Sequence, residues 1–381
     1  MTREDFAPGS QMPLSGIPAE TVAAERWRRG EVQISPGVWM PVLGLGTFKI
    51  RGEDATRATY DALRSGCRHI DTASCYRNET EIRLGIDLWL MSERSEERVH
   101  EDKVEEEIPI GQSPSASAPV RPNTEDRVFI TSKLAPNEMG ERHAAVALES
   151  IHARLNTPAQ TKEPLDLALI HWPGKSKTPP TSPANLAARR ETWKFLEQSL
   201  EQTDVRAIGV SNYTSAHLAE MKAYARVMPA VNQVEFHPRC QQRELRKTCE
   251  AMGIGLVAYS PLGAGELLTD DRVLRCAKAL GEAIGGTVSP ARALIAWSLR
   301  QDGVVAVVVK SSDGERIGEF ILIFIRAIRL TSCFVFVTAA NVGSEGFKAA
   351  ARLASLSGGM FDELDEMDDD THYCWNPSVV R

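Results

Sequence analysis

Eight short runs rich in β-branched and aliphatic residues recur along this sequence, separated by longer stretches with helical periodicity. Such runs are typical of buried strands, and parallel strands need a crossover connection that is usually a helix. The alternation therefore predicts a parallel sheet with helical crossovers, and its closed form is the (β/α)8 TIM barrel. The predicted strands span residues 43–47, 67–71, 128–132, 165–170, 205–210, 230–235, 255–259 and 304–309.

The stretches between these strands carry apolar residues at spacings of three and four, which predicts amphipathic helices. Before the first barrel strand, the segment VQISPGVWMP predicts an N-terminal β-hairpin. Gly44 and Gly46 in LGLGT do not form a GxGxxG fingerprint, and they favour tight packing in the barrel floor. The clearest predicted helices span residues 55–64, 142–154, 188–202, 215–225, 242–252 and 290–300.

Three segments do not fit a compact barrel. Residues 1–30 are polar, and we expect a loose N-terminal tail there. Residues 31–381 then form one barrel domain with two irregular insertions, at 91–126 and 318–342. The first insertion is highly charged and then rich in Ser and Pro, so we expect it to be disordered.

The second insertion contains an apolar run, residues 320–340, that is about as long as the roughly 20 residues needed to cross a bilayer. Arg326 and Arg329 lie in its middle, where each costs a few kcal/mol in a membrane. A membrane-anchored protein is therefore the weakest of the hypotheses, and no membrane partner is expected.

Charge and cysteine content limit the remaining function classes. The 44 Lys and Arg residues against 51 Asp and Glu give a net charge of −7, so nucleic acid is not expected as a partner. The seven cysteines are scattered, without a Cys-x-x-Cys pair, which favours a reducing compartment and predicts no metal site. The N-terminus lacks the features of a secretory signal, so we expect a cytoplasmic protein.

Polar side chains end three consecutive predicted strands. Asp71 closes the second strand, Lys133 follows the third, and His171 follows the fourth, while Tyr76 lies five residues beyond Asp71. In a barrel the carboxyl ends of all strands open on one face, which carries catalysis. The sequence therefore predicts that these four side chains meet at one mouth.

These four side chains suit reduction of a carbonyl, in which the forming alkoxide needs a proton. A tyrosine with a pKa of about 10 is a poor acid unless its phenolate is stabilised. We expect Lys133 to stabilise the phenolate of Tyr76 and Asp71 to hold the lysine. His171 would donate a hydrogen bond to the substrate oxygen. Taken singly, His171 is more simply a structural histidine and Tyr76 a rim aromatic.

The motifs of the chain resemble the aldo-keto reductases. The matching segments run in family order from residue 32 to residue 317, and no GxSxG elbow, P-loop or HExxH motif competes with them. The resemblance implies that Asp71, Tyr76, Lys133 and His171 are the catalytic tetrad, with Tyr76 as the acid. The matching segments are MPVLGLGTF, GCRHIDTASCYRNE, VFITSKL, LDLALIHWP, RAIGVSNY, PAVNQVEFHP, GLVAYSPLG and VVVKSSDGERI.

The resemblance also implies NADPH/NADP+ as the cofactor, favoured over NADH because Lys and Arg suit the extra 2′-phosphate. Some matched residues contact the nicotinamide, some line the pyrophosphate and others grip the adenosine phosphate. The nicotinamide residues are Ser211, Asn212, Gln233 and Tyr259; the pyrophosphate residues are Ser260, Leu262 and Gly263; the adenosine residues are Lys310, Ser311, Arg316 and Glu345.

Phe48 and Trp172 would form apolar walls of a pocket for a small-molecule carbonyl substrate. The family comparison also leads us to expect a monomer. The leading hypothesis is an NADPH-dependent reductase of aldehydes and ketones. The alternative is a non-catalytic protein of the same fold that serves as a binding or redox-sensing module, or a form inactivated by its second insertion.

The sequence departs from the family after residue 317. The family continues there with an acidic residue near the adenine, whereas this chain first runs through the apolar insertion. Deleting residues 318–342 joins ERI to GSEGFKAA and brings Glu345 to the acidic position. We therefore hypothesise that residues 318–342 are a retained intron or an inserted segment.

Overall fold

The computed structural model describes residues 30–105, 127–156, 163–311 and 359–374. The predicted tail up to residue 29 and the second insertion, residues 318–342, lie outside these ranges. Everything below refers to the described residues.

Eight parallel strands, β3 to β10, close into a barrel in the order β10-β3-β4-β5-β6-β7-β8-β9. Closure occurs where β10 pairs with β3, with Val307 opposite Leu43, and also with β9, with Val308 opposite Tyr259. The predicted barrel is confirmed, and each observed strand overlaps its predicted range. The barrel strands are β3 Leu43–Gly46, β4 His69–Asp71, β5 Phe129–Leu134, β6 Leu167–Ile170, β7 Ile208–Ser211, β8 Val231–Glu235, β9 Gly255–Tyr259 and β10 Val304–Val309.

The predicted N-terminal hairpin is also confirmed. Strands β1 (Glu31–Ser35) and β2 (Val38–Pro41) pair antiparallel around a turn in which Gly37 has a φ of 72°. A positive φ of this size is readily adopted by glycine. Met40 of β2 is fully buried, so the hairpin belongs to the barrel core.

Helices follow the barrel strands and bury their apolar faces against the sheet, as amphipathic helices do in this fold. Three of them begin with side-chain caps, at Ser182, Thr214 and Asp270, whose side chains accept hydrogen bonds from backbone N–H groups. The helices are α1 Glu53–Arg64, α2 Glu79–Glu105, α3 Glu141–Leu155, α4 Pro183–Glu201, α5 Ser215–Met221, α6 Arg243–Ala251, α7 Asp271–Ile284, α8 Pro290–Arg300 and α9 Asp362–Asp365.

Helix α2 differs from the sequence prediction. We expected residues 91–126 to be a disordered insertion, but α2 continues through residue 91 to Glu105. Glu, Arg and Lys have favourable helix propensities, and extending an existing helix avoids the cost of nucleation. The prediction of disorder is therefore wrong for residues 91–105, which are helical. Residues 106–126 lie outside the described ranges.

Candidate active site

The four residues predicted to meet at the barrel mouth do lie together. Asp71 ends β4, Lys133 lies near the end of β5, and His171 directly follows β6. Tyr76 closes a short 3-10 helix, Ser74–Tyr76, that follows β4. Parallel strands bring these consecutive carboxyl ends side by side.

Asp71 and Lys133 form a buried ion pair. Lys133 Nζ lies 2.5 Å from Asp71 Oδ1 and also donates to the carbonyl oxygen of Thr72 at 2.9 Å. Their side chains are 5% and 1% exposed. The second carboxylate oxygen of Asp71 accepts a hydrogen bond from Gln233 Nε2 at 2.7 Å. This network satisfies both charges, as their burial requires.

Tyr76 lies beside this pair without a hydrogen bond to it. Lys133 Nζ is 5.4 Å from the centroid of the tyrosine ring, and within the described residues it donates its hydrogen bonds to Asp71 and Thr72 instead. Burial and then the Asp71 carboxylate raise the pKa of Tyr76 well above its ordinary value. This direction is opposite to the phenolate stabilisation that we expected from Lys133.

His171 faces the tyrosine. Its Nε2 atom is 3.5 Å from the Tyr76 hydroxyl oxygen, and its Nδ1 atom is 3.6 Å from Cys75 Sγ. Burial and then Lys133 lower the pKa of His171 to about 3. The imidazole is therefore neutral near pH 7, with a single N–H.

The residues matched to the nicotinamide site form a network that reaches the tetrad. Tyr259 donates its hydroxyl proton to Asn212 Oδ1 at 2.8 Å, and Asn212 Nδ2 donates to the carbonyl oxygen of His171 at 3.0 Å. Ser211 donates to the backbone oxygen of Gln233 at 2.8 Å. This group is joined to the tetrad, because Gln233 Nε2 donates a hydrogen bond to Asp71 directly.

The loop after β9 has an unusual backbone. Ser260 has a φ of 51°, and Gly263 has a φ of 56°. A Cβ atom on Gly263 would lie 2.8 Å from atoms of Leu267 and Tyr373, so glycine allows this close approach. Leu262, between them, is partly buried against the core. The loop thus packs directly against Tyr373 of the C-terminal segment, which is residues 359–374.

The remaining matched residues are only partly described. Lys310 is exposed immediately after β10, and Ser311 follows it, half-buried. Phe48 is 39% exposed, with its ring centroid 5.1 Å from that of Tyr76, and Trp172 is half-buried beside His171. Arg316 and Glu345 lie outside the described residues.

Sequence reasoning missed Glu235, which holds the C-terminal segment at the mouth. Its buried carboxylate accepts hydrogen bonds from the backbone N–H groups of Tyr373 and Cys374, and contacts the rings of His237 and His372. Burial alone would raise the pKa of Glu235, but these hydrogen bonds lower it. The contacts with Tyr373, Cys374 and His372 join residues 137 to 139 positions apart, so no local pattern could have revealed them.

Cys240, Asp370 and His372 bring potential metal-ligand atoms within 4.8 Å of one another, although the sequence predicted no metal site. His372 Nδ1 already contacts Glu235 Oε2 at 3.0 Å, and Asp370 is largely exposed. The contact between His372 and Glu235 explains why these three residues lie close together, as part of the packing of the C-terminal segment.

Among the described residues, no helix is long and apolar enough to cross a membrane. The apolar run at residues 320–340 lies outside the part of the chain to which this finding applies.

Comparison with known proteins gives consistent matches. The model of the Aldo/keto reductase family matches residues 42–332. The chain is 35% identical to glyoxal reductase of Bacillus subtilis over 277 residues, 72% of this chain and 80% of that protein. It is 34% identical to the 9,11-endoperoxide prostaglandin H2 reductase of Trypanosoma cruzi over 290 residues, 76% of this chain and 83% of that one.

A solved structure of a Gox0644 variant in complex with NADPH is similar to this fold, with a TM-score of 0.63. It is 26% identical and covers 92% of this chain and 98% of its own. The family match extends over most of the barrel described above. This chain therefore belongs to the aldo/keto reductase family.

Proposed function

We propose that this protein is an NADPH-dependent reductase of aldehydes and ketones, with Tyr76 as the general acid. The observation that carries the proposal is the meeting of a buried Asp71–Lys133 pair, a tyrosine hydroxyl and a neutral histidine at one barrel mouth. Membership of the family supports the same reaction.

When bound, NADPH would supply the hydride for the carbonyl carbon. Tyr76 then gives its hydroxyl proton to the carbonyl oxygen, which becomes the alcohol oxygen. The raised pKa of Tyr76 keeps the hydroxyl protonated before the reaction. After the proton has left, the Lys133 ammonium group, 5.4 Å from the centroid of the tyrosine ring, would attract the negative charge and offset part of the effect of burial, and Asp71 fixes the lysine in place.

His171 orients the substrate in this proposal. A neutral imidazole donates one hydrogen bond without adding a charge, and the ring nitrogen facing Tyr76 Oη also faces the space where a carbonyl oxygen would receive its proton. Asn212 holds the backbone of His171 from the other side.

The residues present fit a nicotinamide cofactor. Within the described residues Gln233 Oε1 accepts no hydrogen bond, while Nε2 of the same 3% exposed side chain is used by Asp71. That oxygen suits a carboxamide N–H. Ser211 and Asn212 offer further polar atoms, and the ring of Tyr259 offers a stacking surface.

The loop and strand after these groups suit the rest of the dinucleotide. Ser260, Leu262 and Gly263 would line the pyrophosphate, and Lys310 with Ser311, Arg316 and Glu345 would hold the adenosine end. Lys310 is exposed, as a contact to a phosphate anion requires. The preference for NADPH over NADH rests on these cationic residues.

We further propose small aldehydes and ketones as the substrate class. The ring of Phe48 lies next to that of Tyr76, and the half-buried Trp172 directly follows His171 in the chain, so both are available to an apolar substituent on the carbonyl. The similarity to glyoxal reductase supports including glyoxal in the substrate panel. The expectation of a monomeric, cytoplasmic protein in one barrel domain stays a prediction, which light scattering and cell fractionation can check.

The first experiment is NADPH consumption with a panel of small aldehydes. We expect turnover by the full chain and a loss of at least about a hundredfold in Tyr76→Phe, since general acid catalysis contributes about 10²- to 10⁴-fold. Tyr224→Phe is the matched control, because the Tyr224 hydroxyl is buried without a described hydrogen-bond partner. Equal losses of activity in Tyr76→Phe and Tyr224→Phe would contradict the assignment of Tyr76 as the general acid. Inactivity of the wild type with both NADPH and NADH would favour the binding-module alternative.

A further inference from the structure

Cys75 stands immediately before the proposed general acid and contacts the proposed orienting histidine. Its Sγ atom lies 3.6 Å from Nδ1 of His171, within hydrogen-bond distance for sulfur. The other ring nitrogen of His171 lies 3.5 Å from the Tyr76 hydroxyl. The imidazole thus bridges two consecutive residues of the same short 3-10 helix.

The position of the single imidazole proton decides what His171 can do. The ring is neutral over the ordinary working range, because burial lowers its pKa to about 3. A neutral imidazole donates from one nitrogen and accepts at the other. To donate from Nε2 toward a carbonyl oxygen, the ring must carry its proton there and leave Nδ1 unprotonated, and a donor that faces Nδ1 favours this arrangement.

The Cys75 thiol supplies such a donor. Desolvation raises the pKa of this thiol above its ordinary value, so it keeps its proton at neutral pH. Within the described part of the chain, no other group lies at hydrogen-bond distance from Nδ1 of His171. A protonated thiol facing Nδ1 favours the tautomer with the proton on Nε2.

The segments that carry the thiol and the imidazole are each held by hydrogen bonds. The neighbouring Ser74 donates to Glu138 Oε2 at 2.6 Å, which holds the short helix. His171 donates its backbone N–H to Leu134, and its carbonyl oxygen accepts from Asn212. The short helix that carries Cys75 is therefore held through Ser74, and the backbone of His171 is held at its N–H and at its carbonyl oxygen.

We propose that Cys75 is a positioning residue that sets the Nε2–H tautomer of His171 through its thiol proton. This inference rests on the proposed reductase function and adds a chain-specific determinant of its rate. Cys75 does not contact the substrate in this scheme. It acts through the histidine.

The tautomer is measured directly by long-range ¹H–¹⁵N NMR of protein labelled at histidine. The His171 signals are assigned from their absence in His171→Gln. We expect the Nε2–H tautomer in the wild type and in Cys75→Ser, whose hydroxyl still donates, and an increased Nδ1–H population in Cys75→Ala. Cys75 is not part of the hydrophobic core, so both substitutions leave the core intact.

Turnover provides the second readout. We expect kcat to fall about fivefold in Cys75→Ala, the change that loss of one hydrogen bond of ordinary net strength produces, and to recover in Cys75→Ser. KM should change less than kcat, because the effect is on proton placement. Cys276→Ala, which removes a thiol from α7, is the control for cysteine loss as such.

Each outcome decides the matter. A wild-type tautomer in Cys75→Ala overturns the proposal, whatever the turnover. A changed tautomer without a change in kcat overturns the positioning role. If the wild type reduces no aldehyde, the proposed function fails, while the NMR comparison still tests whether Cys75 sets the tautomer.

Discussion

The Asp71–Lys133 pair shows how single residues connect the parts of this site. One carboxylate oxygen of Asp71 contacts the lysine and the other contacts Gln233, a residue matched to the cofactor side. Truncating one partner of a buried ion pair leaves the other charge uncompensated, which costs about 3–5 kcal/mol. The pair therefore has a structural as well as a chemical role, and variants of either residue must be checked for folding before their activity is interpreted.

Lys310 provides a residue-level test of the cofactor assignment. We expect Lys310→Met to raise the Kd for NADPH by about tenfold or more, because a hydrogen bond to a charged group contributes about 1.5–3 kcal/mol. The Kd for NADH, which lacks the 2′-phosphate, should change little. Cofactor fluorescence titration measures both values.

Lys247→Met is the matched control, since Lys247 is a strongly exposed lysine on α6 that pairs only with nearby Glu244. An equal change in the affinity for NADPH and NADH in Lys310→Met would remove Lys310 from the phosphate site. A change of the same size in Lys247→Met would indicate a general charge effect.

At the level of elements, the sequence predicted each barrel strand because buried parallel strands are continuous apolar runs. The sequence also predicted tight packing around Gly44 and Gly46 of β3. A Cβ on Gly44 would lie 2.7 Å from His69 Nδ1, and one on Gly46 would lie 2.9 Å from Val308. The expected tight packing around these glycines is thus present, and its partners could not be named without the register of β3, β4 and β10.

Gly44→Ala should therefore destabilise the barrel. We expect a loss of about 1–3 kcal/mol in the free energy of unfolding, the usual cost of overpacking a core. Urea denaturation measures the loss. In a His69→Ala background the added methyl group has room, so the cost of Gly44→Ala should shrink; an unchanged cost there would show that the imidazole is not the obstacle.

His69 also makes the stability of β4 depend on pH. The ring contacts the oxygen of Pro41 and Thr131 Oγ1, and burial lowers its pKa to about 4 from 6.5. The unfolded chain then binds more protons than the folded one below pH 6.5, so stability falls as the pH drops from about 6.5 toward 4, by at most about 1.4 kcal/mol per pH unit.

Urea denaturation at pH 7.5, 6 and 5 checks this expectation. Burial raises the pKa of Asp166 to about 6, so protonation of this carboxyl stabilises the fold as the pH falls in the same range. The contribution of His69 is therefore read from the difference in free energy of unfolding between the wild type and His69→Asn. We expect the stability of the variant to fall less on acidification. Parallel curves for the two proteins would show that His69 does not contribute to the pH dependence.

For the whole molecule, the sequence predicted the barrel, the hairpin and the meeting of the four polar residues, because each depends on local periodicity and on strand ends. It did not predict the contact between Glu235 and His372, which depends on how the chain returns to the mouth. It also missed the continuation of α2 to Glu105, because a charged stretch without apolar periodicity is typical of both an exposed helix and a disordered segment.

The residues that are predicted to hold the adenosine end of the cofactor are far apart in the sequence. Lys310 and Glu345 are 35 positions apart, and removal of residues 318–342 leaves 10. Closing a connection of n residues costs about (3/2)RT ln n, so the shorter connection saves about 1 kcal/mol when both ends hold the cofactor. We therefore expect the shortened chain to bind NADPH about sixfold more tightly than the full chain, as measured by fluorescence titration.

Deletion of residues 106–117 is the control, because it shortens the part of the first insertion that follows α2 and not a catalytic strand end. It should leave the Kd for NADPH unchanged. Equal affinity of the full and the shortened chain would mean that residues 318–342 do not separate the two halves of the site. Aldehyde reduction by the shortened chain alone would instead mean that the barrel and its chemistry are intact and that the second insertion blocks them. Transcripts lacking these 25 codons would then identify the active form.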